Sequence, residues 1–336
     1  MQTICLPLRL LVQFIIAKCL TRVSRTKGGK RLDARITKER LANLLSYDWL
    51  KMIFCAAAAV LALVVFFTTV RTVPTEAQTY TVYAWTDLYS GDDSPHLKDA
   101  LKKGGVFSYD ILDVTTESFQ GNAYSEAAFT ARRAVVEGDC MFLSNAPEYA
   151  EDGTETKASA LHDFIKRYPG IVLDTQKYFE DCKAYLNGFY GGDWQNGALD
   201  PAKAEACFRA RNTGDKRFKK QSAIAAGIES EKARIEQLRE DLKFVLNCFE
   251  KGIFSFTQGK DEDGKEFACA VRVGGAEMSG LSRLYYYPAE REGQKVNASE
   301  TLNLVLFDNG TSDGDMKYES VSFLRYLATT YQNAQA

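Results

Sequence analysis

The sequence predicts an α/β domain carried behind a single membrane-spanning helix. Three observations lead there. Residues 52–70, MIFCAAAAVLALVVFFTTV, run for nineteen positions without a charge. From 79 to 145, runs rich in β-branched and aromatic residues alternate with amphipathic ones, the pattern of βαβ units. From 267 to 331 that alternation returns after a largely helical middle.

As a helix, residues 52–70 would extend roughly 28 Å, close to the thickness of a hydrocarbon core. Between positions 21 and 51 nine Lys or Arg face three acids. Residues 1–71 carry net +9 and residues 72–336 net −11, so the whole chain is only −2. The positive-inside rule then keeps residues 1–51 in the cytoplasm and exports the rest. About fifty residues precede the run and no A-x-A site follows it, which favours an uncleaved anchor over a signal peptide. The basic flank fits an anionic bilayer surface, and the acidic remainder argues against nucleic acid. Within 1–51, residues 5–20 and 33–49 read as amphipathic helices lying at an interface or against a partner.

A tether over 71–78 leads to a strand at 79–85, TYTVYAW. Pro95 after Ser94 opens a helix that Gly104-Gly105 stops. A second strand region covers 106–115, a helix 123–137 and a short apolar strand 140–143, CMFL, of the kind a covered parallel sheet buries. Helices follow at 160–167 and 175–186, with a brief strand at 171–174 between them. After a turn-rich stretch, Asp200 as N-cap and Pro201 at N1 start a helix to 211. The longest helix covers 219–251, with Ile224, Ile228, Ile235, Leu238, Leu242, Val245 and Phe249 in a stripe that Glu231 alone interrupts. Strands at 253–257 and 267–273 flank a charged hairpin tip; a further strand, 302–307, and a closing helix, 321–331, complete the chain.

Catalytic motifs are missing: there is no G-x-S-x-G, H-E-x-x-H, P-loop or G-x-G-x-x-G at a strand-to-helix junction. His96 and His162 lack a flanking nucleophile signature. The expectation is a non-enzyme with no catalytic residues, metal or cofactor. Asp308 to Asp315 places several oxygen ligands in a Gly-bearing loop, a calcium candidate without full EF-hand spacing. Five cysteines follow the apolar run, an odd number; Cys182 with Cys207 is the favoured pairing among many. Ligand recognition is better supported. Trp85 and Asp87, with Ser144 and Asn145, fall at strand ends on one carboxyl edge, where open α/β sheets bind ligands. Trp194 and Tyr285 are candidates for a facing aromatic wall.

The opening strand ending in Trp85, the segment VVEGDCMFLSN, and LNLVLFDN followed by SFLRYL resemble the type II extracytoplasmic solute-binding fold of bacterial ABC importers. The resemblance covers residues 79–145 and 267–331. It implies a two-lobed domain, with 79–150 and 267–331 as lobe 1 and a mostly helical lobe 2 over 151–266. It further implies a cleft holding Trp85–Asp87 and Ser144-Asn145, a small solute as ligand, and an importer or sensor subunit as integral-membrane partner. The combined expectation is a single-pass bacterial membrane protein that binds ligand at the cell surface without catalysis. The alternative is an assembly component of a membrane complex.

Overall fold

A computed structural model describes residues 49–70, 74–85, 87–119, 123–146, 148–149, 155–157, 159–261, 263–291, 294–309 and 318–333. The chain forms two compact units, Met1–Thr72 and Val73–Ala336.

Of the first unit, the described part is one helix, α1 (Trp49–Val70). The apolar run therefore folds as its composition dictates, and its side chains from Ile53 to Val65 are exposed. The membrane reading does not survive. Among the described residues no helix is long and apolar enough to cross a membrane. Single-pass topology, a cytoplasmic amino terminus, an extracellular domain, a lipid-bilayer partner and an importer or sensor docked in the membrane all rested on that span and fall with it. The two amphipathic helices expected before it lie outside the described residues, apart from the start of α1.

The second unit is built on one mixed sheet of six strands. In chain order the strands of the unit are β1 (Thr79–Ala84), β2 (Tyr89–Ser90), β3 (Asp113–Ser118), β4 (Cys140–Ser144), β5 (Glu148–Tyr149), β6 (Glu155–Lys157), β7 (Ser255–Lys260), β8 (Glu266–Arg272), β9 (Tyr285–Arg291), β10 (Gln294–Ala298) and β11 (Leu302–Leu306). The main sheet runs β3-β1-β4-β11-β8-β7; β10-β9-β2 and β5-β6 form small sheets of their own. Strand β1 pairs in parallel with β3 and β4, while β11 lies antiparallel between β4 and β8, and β7 antiparallel to β8.

Alternation along the strands sends side chains to two separate cores. Tyr80, Val82, Ala84, Cys140, Phe142, Leu304 and Leu306 face the larger one. Covering it are α2 (Leu97–Lys103), α5 (Thr175–Phe189), α6 (Pro201–Arg211), α7 (Gln221–Glu250) and α8 (Glu319–Tyr331). Tyr83, Trp85, Met141, Leu143, Val305 and Phe307 face the smaller core, under α3 (Ala123–Ala134) and α4 (Ala160–Arg167). The unit is thus a helix–sheet–helix sandwich. The two-lobed arrangement is corrected accordingly: the helices of 151–266 lie on the same sheet as the rest, and β7 and β8 extend that sheet at one edge.

Several boundaries moved for local reasons. The second strand starts at Asp113, not at 106, because residues 106–109 are tied to the helical layer. Gln237 donates to the Val106 carbonyl at 2.9 Å and Arg217 to the Tyr109 carbonyl at 3.1 Å. The strand expected at 171–174 is reduced to a single bridge between Val172 and Phe307. Asp200 caps α6 as expected, and Asp174, which the sequence reading did not single out, caps α5; each accepts two backbone N–H bonds. Two glycines are required by what surrounds them. Gly138, at φ +105°, would place a Cβ 2.4 Å from the Tyr83 ring. Gly227, inside α7, would place one 2.3 Å from the Phe208 ring, so α6 and α7 approach closely only because no side chain intervenes.

Candidate binding groove

Two regions gather chemistry-bearing side chains, and their electrostatics separate them. The first is buried between α6, α7 and the segment before β3. Glu231, the apparent flaw in the α7 stripe, is fully buried, as Arg234 and Asp110 nearly are. Arg234 grips its carboxylate through Nε at 3.0 Å and a terminal nitrogen at 2.8 Å. Tyr109 donates to the same carboxylate at 2.8 Å, and an Arg211 nitrogen lies 3.6 Å away. Arg211 also bonds Asp110 at 2.7 Å, and Arg234 reaches the Tyr185 hydroxyl.

Burial alone would raise the Glu231 pKa. The Arg234 bonds, both guanidinium charges and the Tyr109 hydroxyl outweigh it and bring it down to about 2. Perturbed groups often mark functional sites, but here each is held in its charged form by a partner. The cluster ties layers together. The carboxylates whose pKa moves, Asp113, Asp215, Glu231 and Glu240, all move down, so none of the four is poised as a general acid near neutrality.

The thiols are likewise inert. Cys140, Cys182, Cys207, Cys248 and Cys269 all have pKa values raised, first of all by burial; Cys269 is pushed up to about 12. Cys182 and Cys207 are both free, so the favoured disulfide is not formed. Among the described residues no group of three or more His, Cys, Asp or Glu is arranged to hold a metal ion. Residues 310–315 of the calcium candidate lie outside the described residues.

The second region is open. A groove of about 670 Å³ lies between α4, the end of β4 and the terminal strand β7, within the range of ligand sites. Leu161 and Ile165, one turn apart on α4, supply buried apolar surface; His162 and Lys166, again one turn apart, are exposed. Thr257, Gln258, Gly259 and Lys260, four consecutive residues of β7, line another side, with Asn145, Pro169, Asp261 and Glu266 completing it. Ser159 caps α4 by accepting from the His162 N–H at 3.2 Å, and its hydroxyl donates to Asn145 Oδ1 at 3.0 Å. Asp261 is committed to the hairpin turn, its Oδ1 accepting the backbone N–H of Asp263 and Lys265. Lys166 and Lys260 are paired with no acid among the described residues.

The residues singled out in the sequence divide between the two sides of the sheet. Asn145 lines the groove. Ser144 lies buried beside it, its hydroxyl 2.8 Å from that of Thr301, and its N–H donates to Asp87 at 3.3 Å. Trp85 is 7 % exposed, edge-on to Phe129 and to Phe164 of α4, so it supports the helix behind the groove. Trp194 and Tyr285 belong to the larger core on the opposite side, Tyr285 against Phe142. The sheet thus brings Trp85, Asp87, Ser144 and Asn145 to one edge and leaves Trp194 and Tyr285 apart from them. Lys166, Lys260 and His162 escaped sequence reading; a charged hairpin beside an exposed helix face carries no motif.

A second depression, about 730 Å³, lies between the ends of α7 and α8. Lys251 and Glu277 both line it, and Asn333 spends its side chain on Ala276 and Ser279. No protein-family model matches the sequence, and neither a curated protein nor a solved structure matches it. The likeness to importer receptors is therefore carried no further.

Proposed function

We propose that the α/β unit is a non-catalytic binding domain that receives a carboxylate-bearing ligand in the groove between α4 and β7. One observation carries this reading: Lys166 and Lys260 line a groove with a partly apolar floor and close no ion pair among the described residues, although Glu266 stands opposite Lys260 in the β7–β8 ladder. An ammonium offers three donors and a full charge. Asn145, whose Oδ1 is taken by Ser159, keeps its amide N–H groups for a ligand oxygen. Trp85, Asp87 and Ser144 act behind it, holding α4 and the end of β4 in place. The non-catalytic part of the reading is supported by thiols made inert by burial and by carboxylates moved away from acid–base range.

The test is a calorimetric titration of the full chain with succinate, repeated on the double variant Lys166→Glu/Lys260→Glu. Exposed charge contacts contribute about 0.2–1 kcal/mol each, so a small dicarboxylate should bind weakly. Saturable binding that weakens at least tenfold in the double variant, with an unchanged circular dichroism spectrum, is the expected result. Undiminished binding in the variant would refute the assignment.

A further inference from the structure

We infer that the depression between the ends of α7 and α8 is a second binding site, which takes a zwitterion with an apolar body, such as a free amino acid. The inference goes beyond the groove reading and does not rest on it. It starts from charge. Of the residues lining this space of about 730 Å³, two are charged, Lys251 and Glu277, and their signs are opposite. Both are exposed, and neither closes an ion pair among the described residues. One ammonium and one carboxylate, each left unmatched at the rim of one cavity, select a ligand that carries the complementary pair.

Each charge stands at its own helix end. Lys251 follows directly on α7, and its charge lies near enough to the buried Cys248 thiol to oppose the pKa rise that burial causes there. Asn247, exposed one turn earlier, lines the same end. Together they offer an ammonium and a side-chain amide to a ligand carboxylate. Glu277 stands at the end of α8. The Asn333 N–H donates to the Glu277 carbonyl at 2.8 Å, and the Asn333 side-chain amide donates to the Ala276 carbonyl at 2.6 Å. The Ser279 hydroxyl donates back to Asn333 Oδ1 at 2.6 Å, so three bonds fix this end. The last turn of α8 has no basic residue and Gln332 is its C-cap. The negative end of its dipole therefore adds to the Glu277 carboxylate and favours a ligand ammonium.

The floor is apolar. Cys248 and Ile253, from α7 and the chain just after it, and Ala328 of α8 are buried, and Phe244 is half-buried one turn before Cys248. Arg325 lies over the Phe244 ring at 5.5 Å but is bound to Asp241, so its charge is already matched. Burying an aliphatic side chain on this floor supplies affinity that two exposed charge contacts alone would not. In the β7 groove, Lys260 and Glu266 face each other across one hairpin. Here the two signs are separated onto the ends of two helices.

The probe is L-leucine, titrated into the isotopically labelled full chain. It is compared with isocaproate, which lacks its ammonium, and isopentylamine, which lacks its carboxylate. The expected result is saturable shifts at Asn247, Cys248, Lys251, Glu277 and Ala328, with each singly charged analogue at least threefold weaker than leucine. Charge reversal should then exchange the order. Lys251→Glu should prefer isopentylamine to leucine, and Glu277→Lys should prefer isocaproate, each with an unchanged circular dichroism spectrum. Either variant reads the exchange by itself, so one that failed to fold would leave the other decisive. Leucine no tighter than its analogues, no saturable shift at these positions, or an order unaltered by charge reversal would overturn the site. Leucine binding should be unchanged in Lys166→Glu/Lys260→Glu, where succinate binding weakens. Loss of leucine binding in that variant would move the ligand to the groove and overturn the inference.

Discussion

The cluster around Glu231 and the groove beside β7 both gather charged side chains, but only the first has them buried and closed into ion pairs. Glu231, Arg234, Arg211 and Asp110 are withdrawn from water and spend their hydrogen-bonding capacity on one another and on Tyr109 and Tyr185. Lys166 and Lys260 stay in solvent beside an apolar floor and close no ion pair among the described residues, with Glu266 opposite Lys260 across the hairpin. The difference separates structural from functional charge. A buried charge that is fully paired costs little further and enforces one packing; an exposed unpaired charge over apolar surface leaves a partner to be supplied.

That contrast is breakable at several points. The largest effect is expected for Glu231→Gln, which leaves the Arg234 and Arg211 guanidinium groups facing a neutral amide in the interior. Removing one partner of a buried pair costs about 3–5 kcal/mol, readable as a lower midpoint in urea denaturation. The pH dependence follows from the same group. The folded Glu231 pKa of about 2 lies below its ordinary value near 4.5. Its contribution is therefore present above pH ~4.5 and lost as the pH falls toward ~2. Wild-type stability should drop across that window, and the drop should be shallower in Glu231→Gln.

Gly227→Ala comes next. In an ordinary helix interior the change stabilises by about 1 kcal/mol. Here the new methyl meets the Phe208 ring, with Phe218 2.8 Å away, so a net loss of about 1–3 kcal/mol is expected from overpacking. Val136 is smaller and opposite in sign. It holds φ at +64° with its side chain 44 % exposed, a position where a β-branched residue is strained. Val136→Gly should raise stability by about 1 kcal/mol. The smallest effect on stability, within ~0.5 kcal/mol, is expected for Lys166→Glu/Lys260→Glu, although this is the variant that should weaken binding at least tenfold. A loss of stability there comparable to Glu231→Gln would place both regions in the same structural class.

How far the sequence revealed these regions depended on whether the signal was local. Strand β1 and strand β4 were readable from their apolar and aromatic runs, and α6 from Asp200 and Pro201, because caps and burial act over a few residues. Strand β3 was displaced because Val106 to Tyr109 answer to Arg217 and Gln237, more than a hundred positions away. Glu231 did announce itself as a break in the α7 stripe, but nothing nearby in sequence identified Arg211, Asp110 and Tyr109 as its partners. The uncharged run at 52–70 was correctly read as helix and wrongly extended to a membrane span; the two-lobed fold failed separately, because the helices of 151–266 pack on the same sheet as the rest. Of the candidate site residues, Asn145 alone borders the groove, since strand ends locate a sheet edge and the rest of the lining comes from α4 and the β7–β8 hairpin.

The most direct measurement is chemical-shift mapping of the isotopically labelled full chain during titration with succinate. The account requires saturable shifts at Asn145, His162, Lys166 and Thr257 to Lys260, with the amides around Glu231 unmoved. Shifts confined to the depression near Lys251 and Glu277, or no saturable shift at any position, would contradict it.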